Sequence, residues 1–148
     1  MADIPGTLAA NADSLLELRA LVGRLSDADL ARPLGAGWTV GTALGHLAFW
    51  DMRVALMADR WKIANAVSGV DIEGDVVNEA VEPLLLAAPG RALATLALAA
   101  ASAANTAVNR LTPDLLAHAL VEGSVFGAAR QHHRREHIEQ IERALAAG

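Results

Sequence analysis

The sequence predicts an all-α protein, a four-helix bundle with short extra helices between the long ones. Hydrophobic residues make up 53% of the 148 residues and charged residues 20%, which is typical of a folded globular chain. Apolar residues recur at helical spacing, and no window alternates apolar and polar residues as a half-buried strand would. No repeat, linker or change of composition divides the chain, so residues 1–148 are predicted to form one domain.

The predicted elements follow one another with short connections. Leu15, Leu18 and Leu21 mark the first helix, and Thr39 is an N-cap for the second. Pro83 is expected to kink or shorten the third helix, and Pro89 stands in the first turn of the fourth. We place helices over residues 5–25, 40–66, 75–86, 89–110 and 126–147, short capped turns at residues 26–29 and 112–114, and loops at residues 31–37, 69–74 and 122–124.

Charge and composition exclude several classes of function. A formal net charge of −5 and few aromatic residues argue against a nucleic-acid binder. The chain has no cysteine, so disulfides, thiolate metal sites and cysteine nucleophiles are excluded. Residues 92–108 carry no charge, but they are mostly alanine and include polar residues, so we predict a buried helix and no membrane span. The N-terminus lacks the features of a signal peptide, and we expect a cytoplasmic protein.

Two histidines on the last predicted helix stand where core residues would. His133 and His137 are four residues apart and therefore point the same way, and their face continues into Ile141. Buried imidazoles need hydrogen-bond partners or a metal ion. His46, on a largely apolar face of the second helix, completes a set of three imidazoles if the two helices are neighbours. Three protein ligands leave positions open for water or substrate, as in catalytic sites. Such a pair can also arise by chance on a charged surface, and we expect His118 and His132 to be surface residues.

The segments that carry these histidines resemble a known family. Residues 37–51, GWTVGTALGHLAFWD, are similar to the pattern W-[ST]-V-x-x-x-L-x-H-L of the DinB/YfiT-like superfamily, and residues 133–141, HRREHIEQI, to its H-x-x-x-H-x-x-Q-I pattern. Asn78, between them, resembles a recurring asparagine. The resemblance implies a bundle with one crossing connection, often a homodimer. It also implies a divalent metal, commonly zinc or nickel, held by His46, His133 and His137.

The resemblance implies more than one function, and the sequence does not choose among them. The first is an enzyme whose metal activates an external low-molecular-weight thiol such as mycothiol or bacillithiol, or water, against an electrophilic small molecule. The alternatives are a metal-dependent hydrolase, a metal- or small-molecule-binding module without turnover, and a helical dimer with an empty site. Arg53 and Arg130 are candidates for holding a substrate carboxylate, with surface ion pairs as the alternative. Trp50 is a candidate for lining the substrate pocket or the core, and Asp51 or Glu136 for orienting a ligand imidazole.

Overall fold

The computed structural model describes residues 3–69, 71–121 and 125–148, and its four long helices form a bundle. Each long helix packs against two of the others, and the prediction of an all-α bundle is confirmed. The loop predicted at residues 122–124 lies outside the described residues. In chain order the elements are α1 (Ile4–Arg24), α2 (Asp27–Leu30), β1 (Pro33–Gly35), β2 (Trp38–Thr39), α3 (Val40–Ala64), α4 (Gly74–Ala87), α5 (Gly90–Asn109), α6 (Pro113–Ala119) and α7 (Gln131–Ala146).

Small residues allow α3 and α5 to approach closely. A Cβ atom on Gly41 would lie 2.9 Å from Cα of Gly90 and 3.3 Å from the carbonyl oxygen of Leu30, so this crossing requires glycine. By length and composition alone α5 could cross a membrane, but it packs between α1 and α3. Its inward face consists of buried alanines, namely Ala94, Ala97, Ala100, Ala101, Ala104 and Ala107. The prediction of a buried alanine-rich helix is confirmed.

The apolar core falls into two clusters along the bundle. The first joins α1 to the N-terminal parts of α3 and α5, and the second joins the C-terminal parts of α3 and α5 to α6. On α3, Asp51 separates Ala48 of the first cluster from Val54 of the second, and it is fully buried. A buried carboxylate is costly unless it is paired, so this level of the bundle needs polar partners.

The predicted loop at residues 31–37 contains a strand that sequence patterns did not indicate. β1 and β2 pair antiparallel, and the turn between them places Gly35, Ala36 and Gly37 at positive φ. Strands of three and two residues are too short to show the alternation by which strands are predicted. This small hairpin fixes the position of Trp38 at the N-terminus of α3.

The last helix begins five residues later than predicted, at Gln131 instead of residue 126. Gly127 adopts a left-handed φ of 64°, which stops a helix from extending through it. The side chain of Asn11 on α1 then accepts hydrogen bonds from the backbone N–H groups of Arg130 and Gln131, at 2.7 and 3.1 Å. These donors have no partner within α7, so α1 caps α7 from outside.

Candidate metal centre

The structure brings His46 from α3 together with His133 and His137 from α7. The three ring centroids form an equilateral triangle with sides of 4.9 Å, and one ring nitrogen from each residue lies within 4.8 Å of the others. His46 is buried, and the other two rings are partly buried. The four-residue spacing on α7 sets the first pair, and the packing of α3 against α7 supplies the third ring.

The triangle has the size that a metal ion held by three imidazoles requires. Because a zinc–nitrogen bond is about 2.0–2.1 Å and a ring centroid lies about 1.1 Å further out, tetrahedral angles would separate the centroids by about 5 Å. Imidazole nitrogen is a good ligand for zinc, nickel, iron and copper, and the donor set does not select among them. Among the described residues, no carboxylate joins the group, so three nitrogens would leave coordination positions open.

Hydrogen bonds indicate which ring nitrogen of His133 and of His137 carries the proton. A guanidinium can only donate, so Nδ1 of His133 accepts from Nη2 of Arg130 at 2.7 Å and the ring carries its proton on Nε2. That proton lies between Nε2 of His133 and Nε2 of His46, which are 2.9 Å apart. Nδ1 of His137 donates to Oε1 of Gln140 at 2.9 Å, which leaves its Nε2 lone pair available. An ion would therefore take the place of the proton shared between His46 and His133.

Burial keeps two of the rings neutral. It is the main cause that lowers the pKa of His46 to about 4, and the nearby His137 and Arg130 add to the effect. Burial, followed by the charge of Arg130, lowers the pKa of His133 to about 2. Both rings are therefore uncharged at neutral pH, and neither must first lose a cationic charge to bind an ion.

A buried ionic cluster of Asp51, Arg130 and Arg134 lies next to His133, and Arg130 contacts the imidazole. Nε of Arg130 donates to Oδ1 of Asp51 at 2.6 Å, and Nε of Arg134 donates to Oδ2 of the same carboxylate at 3.0 Å. Two guanidiniums thus share one carboxylate, and the cluster carries one net positive charge. Asp51 contacts Arg130, and Arg130 contacts Nδ1 of His133, so the predicted role of Asp51 in orienting a ligand imidazole would act through Arg130.

Arg134 is the residue of this cluster that sequence reasoning missed. Its neighbours in the sequence are charged and typical of a helix face in solvent, but its side chain is fully buried. Nη1 donates to the carbonyl oxygen of Asn11, the hydroxyl of Ser14 and Oδ1 of Asn105, and Nη2 donates to Asp51 and to the carbonyl oxygen of Ala101. One side chain therefore joins α7 to α1, α3 and α5. Burial lowers the pKa of Arg134, and Asp51 opposes that shift.

Two tryptophans flank the histidines and attach α4 to them. The Trp38 ring lies parallel to His137 at 6.3 Å and 5.0 Å from His46, and the Trp50 ring lies 6.4 Å from His46. Their indole N–H groups donate to Glu82 and Asn78 of α4, each at 3.0 Å. These two bonds matter because α4 has no buried residue of its own. Asn78, which accepts the hydrogen bond from Trp50, is the residue that resembles a recurring asparagine of the DinB/YfiT-like superfamily.

The remaining candidate residues lie at or outside the edge of the centre. Arg53 is partly buried, with its guanidinium carbon 5.8 Å from the centre of the Trp50 ring, and burial together with the charge of Arg130 lowers its pKa. Arg130 is engaged by Asp51 and His133, and its predicted contact with a substrate stays a prediction. His118, His132 and Glu136 are exposed, as expected from their helix faces.

The structure thus has three histidines that could hold a metal ion, between two helices of an all-α bundle, as the resemblance to DinB-like proteins implies. The family described as mycothiol maleylpyruvate isomerase N-terminal domain matches residues 12–137, and the chain belongs to this family. The match includes all three histidines and both tryptophans that flank them. No curated protein and no solved structure matches the chain.

Proposed function

We propose that this protein is a metal-dependent enzyme that transfers an external low-molecular-weight thiol to an electrophilic small molecule. The observation that carries the proposal is the triangle of His46, His133 and His137, which provides three imidazole donors and no fourth protein ligand among the described residues. A divalent ion in such a site lowers the pKa of a coordinated thiol or water and so supplies a nucleophile near neutral pH.

The nucleophile must come from outside the chain. There is no cysteine, and the family's description names mycothiol, which supports a thiol of that kind. The residues around the histidines favour an anionic reactant, because Arg130 and Arg134 share a single carboxylate and Arg53 adds a further positive charge. Attack by sulfur on an electrophilic carbon would form the carbon–sulfur bond, and the proton of the thiol would leave to solvent. The bond from that carbon to its leaving group would break, and the leaving group, chloride for a chloro-dinitrobenzene, would depart with the electron pair.

The side chains of this protein would position the reactants and limit water. The indole rings of Trp38 and Trp50 lie near His46, with centroids 5.0 and 6.4 Å from the centroid of its ring. Arg53, whose guanidinium lies beside the Trp50 ring, would hold a carboxylate of the electrophile. A homodimer and a cytoplasmic location, both expected from the sequence, are part of the proposal and have no role in the chemistry.

The first experiment measures the metal. The protein is purified without a nickel-affinity step, and elemental analysis is expected to find about one zinc or nickel ion per chain. His137→Ala should lose the ion, because it removes one of the three donors. His132→Ala, on the exposed side of the same helix, is the matched control and should keep it. A metal content unchanged by His137→Ala would contradict the proposed site.

The second experiment measures turnover. Mycothiol, bacillithiol and glutathione are each offered with a chloro-dinitrobenzene electrophile, and conjugation is followed by absorbance. We expect conjugation with at least one thiol, its loss in His137→Ala and in chelator-treated protein, and its return when metal is added. Conjugation that survives without metal would overturn the mechanism. A metal-loaded protein that is inert with every thiol, or that hydrolyses substrates without one, would overturn the transferase assignment.

A further inference from the structure

A large apolar cavity has Arg53 in its wall. It occupies about 940 Å³ between α3, α4 and α5, which is within the range of small-molecule sites. Its walls include Phe49 and Met52 of α3, Leu85 of α4, and Leu93 and Leu96 of α5. Hydrogen bonds from Trp38 and Trp50 attach α4 to the bundle, and α4 does not fill the groove between α3 and α5. The cavity is large for this reason.

The charges on this cavity have one sign. Arg53 and Arg60, two helical turns apart on the same face of α3, both line it, and no described aspartate or glutamate does. Over residues 3–69, 71–121 and 125–148, neither guanidinium has an acceptor within hydrogen-bond or ion-pair distance. Arg130 and Arg134, by contrast, both donate hydrogen bonds to the carboxylate of Asp51. An apolar wall with unpaired cations is complementary to an apolar molecule that carries an anion.

We propose that this cavity binds an amphipathic organic acid, with its apolar body against α3, α4 and α5 and its carboxylate at Arg53. Arg53 lies beside Trp50, and Trp50 lies beside His46, so the acid head would stand at the edge of the metal centre. As a statement of substrate class this rests on the proposed function. As a binding site it does not depend on the metal, because no histidine lines the cavity.

Medium-chain carboxylates are the probes that suit this site. Each methylene removed from water contributes about 0.8 kcal/mol, so a chain of about ten carbons binds measurably even if only part of it is covered. Sodium decanoate is titrated into metal-stripped and metal-loaded protein by calorimetry, with decyltrimethylammonium as the probe of equal tail and opposite charge. We expect decanoate to bind once per chain in both forms of the protein, and the cation to bind at least tenfold more weakly.

Variants on and off the cavity locate the binding. Arg53→Gln should weaken decanoate binding about tenfold or more, because it removes a charge-assisted contact, and Arg60→Gln should weaken it less, because Arg60 is exposed. Leu96→Glu, at a half-exposed position of the wall, should abolish binding by placing a like charge beside the probe. Arg19→Gln and Leu84→Glu, exposed positions that do not line the cavity, are the matched controls and should bind decanoate as the unaltered protein does.

Several results would overturn the inference, and they separate it from the proposed function. Equal binding of the two probes, or binding unaffected by Arg53→Gln and Leu96→Glu, would contradict it. So would a dimer that excludes decanoate and that Leu96→Glu dissociates, since a second copy would then cover the cavity. Thiol conjugation without decanoate binding defeats this inference alone. Decanoate binding to metal-stripped protein, with no conjugation by the loaded protein, defeats the proposed function and supports the cavity site.

Discussion

Arg134 and Arg53 show two opposite environments for the same functional group within one bundle. Arg134 is fully buried, and Asp51, Ser14, Asn105 and backbone carbonyl oxygens accept hydrogen bonds from its guanidinium. Arg53 is only partly buried, and among the described residues its guanidinium has a tryptophan ring beside it and no acceptor. The hydrogen bonds of the Arg134 guanidinium hold helices together. The Arg53 guanidinium, in contrast, is available to bind a ligand.

The difference indicates how the role of a charged residue in this fold can be inferred from its burial and from its hydrogen-bond partners. A buried charge with all its donors satisfied is evidence of a structural role, since removing one partner leaves a costly unpaired ion. A partly buried charge without a partner lowers the stability of the folded protein slightly. Such a charge is expected where a bound ligand supplies the partner. The metal centre lies between the two environments, with Arg130 reaching His133 on one side and Arg53 near Trp50 on the other.

The largest expected effect is on the paired side. Asp51→Ala should lower the free energy of unfolding by about 3–5 kcal/mol, because it leaves the Arg130 and Arg134 guanidiniums buried without a counter-ion. Urea unfolding followed by circular dichroism measures the change. Glu17→Ala is the matched control, since Glu17 pairs with Arg135 at the surface, where such pairs contribute about 1 kcal/mol or less. Similar losses in the two variants would mean that the buried cluster does not hold the helices together.

A smaller effect is expected where a paired contact positions a metal ligand. Gln140→Leu removes the acceptor that fixes the Nδ1 proton of His137, and it should weaken metal binding about 10- to 100-fold. A competitive titration against a coloured chelator measures the affinity. Glu139→Gln, at the neighbouring exposed position, should leave it unchanged. An affinity that resists Gln140→Leu would show that packing against Trp38 is sufficient to orient the His137 ring.

The smallest effect is expected on the unpaired side. Arg53→Gln should change the free energy of unfolding by less than about 1 kcal/mol, and in the stabilising direction, because it removes a desolvated charge that Arg130 repels. The measurement is the same urea titration, on metal-stripped protein without added ligand. A free energy of unfolding that falls by several kcal/mol in Arg53→Gln would show that Arg53 has a structural role like that of Arg134. The contrast between the two residues would then not hold.

Much of the fold and the histidine set could be predicted from local sequence. Helix periods, caps and alanine content are local, so the long helices were predicted within a few residues, apart from the start of α7. That start depends on Asn11, more than a hundred residues earlier in the chain, which no local pattern contains. His133 and His137 were found because a four-residue spacing survives in any helix, and His46 because its motif resembles that of a family.

The buried cluster could not be predicted in the same way. Arg134 follows His133 and precedes Arg135 in a run of charged residues, and such a run ordinarily faces solvent. Its partners come from α1, α3 and α5, so their meeting is a property of the packed bundle. One signal was present: Arg134 leads a stripe with Ile138, Ile141 and Leu145 at steps of four, three and four, which places it on the core face.

The distribution of the three imidazoles along the chain sets the order in which the centre can be assembled. His46 is present on α3 long before α7 is synthesised, and one imidazole is a weak ligand. The other two become available only when the final helix has docked through Arg134 onto three earlier helices. An ion held by all three rings would therefore bind late, after the closure of the bundle, and would then stabilise the folded chain over its partly assembled forms.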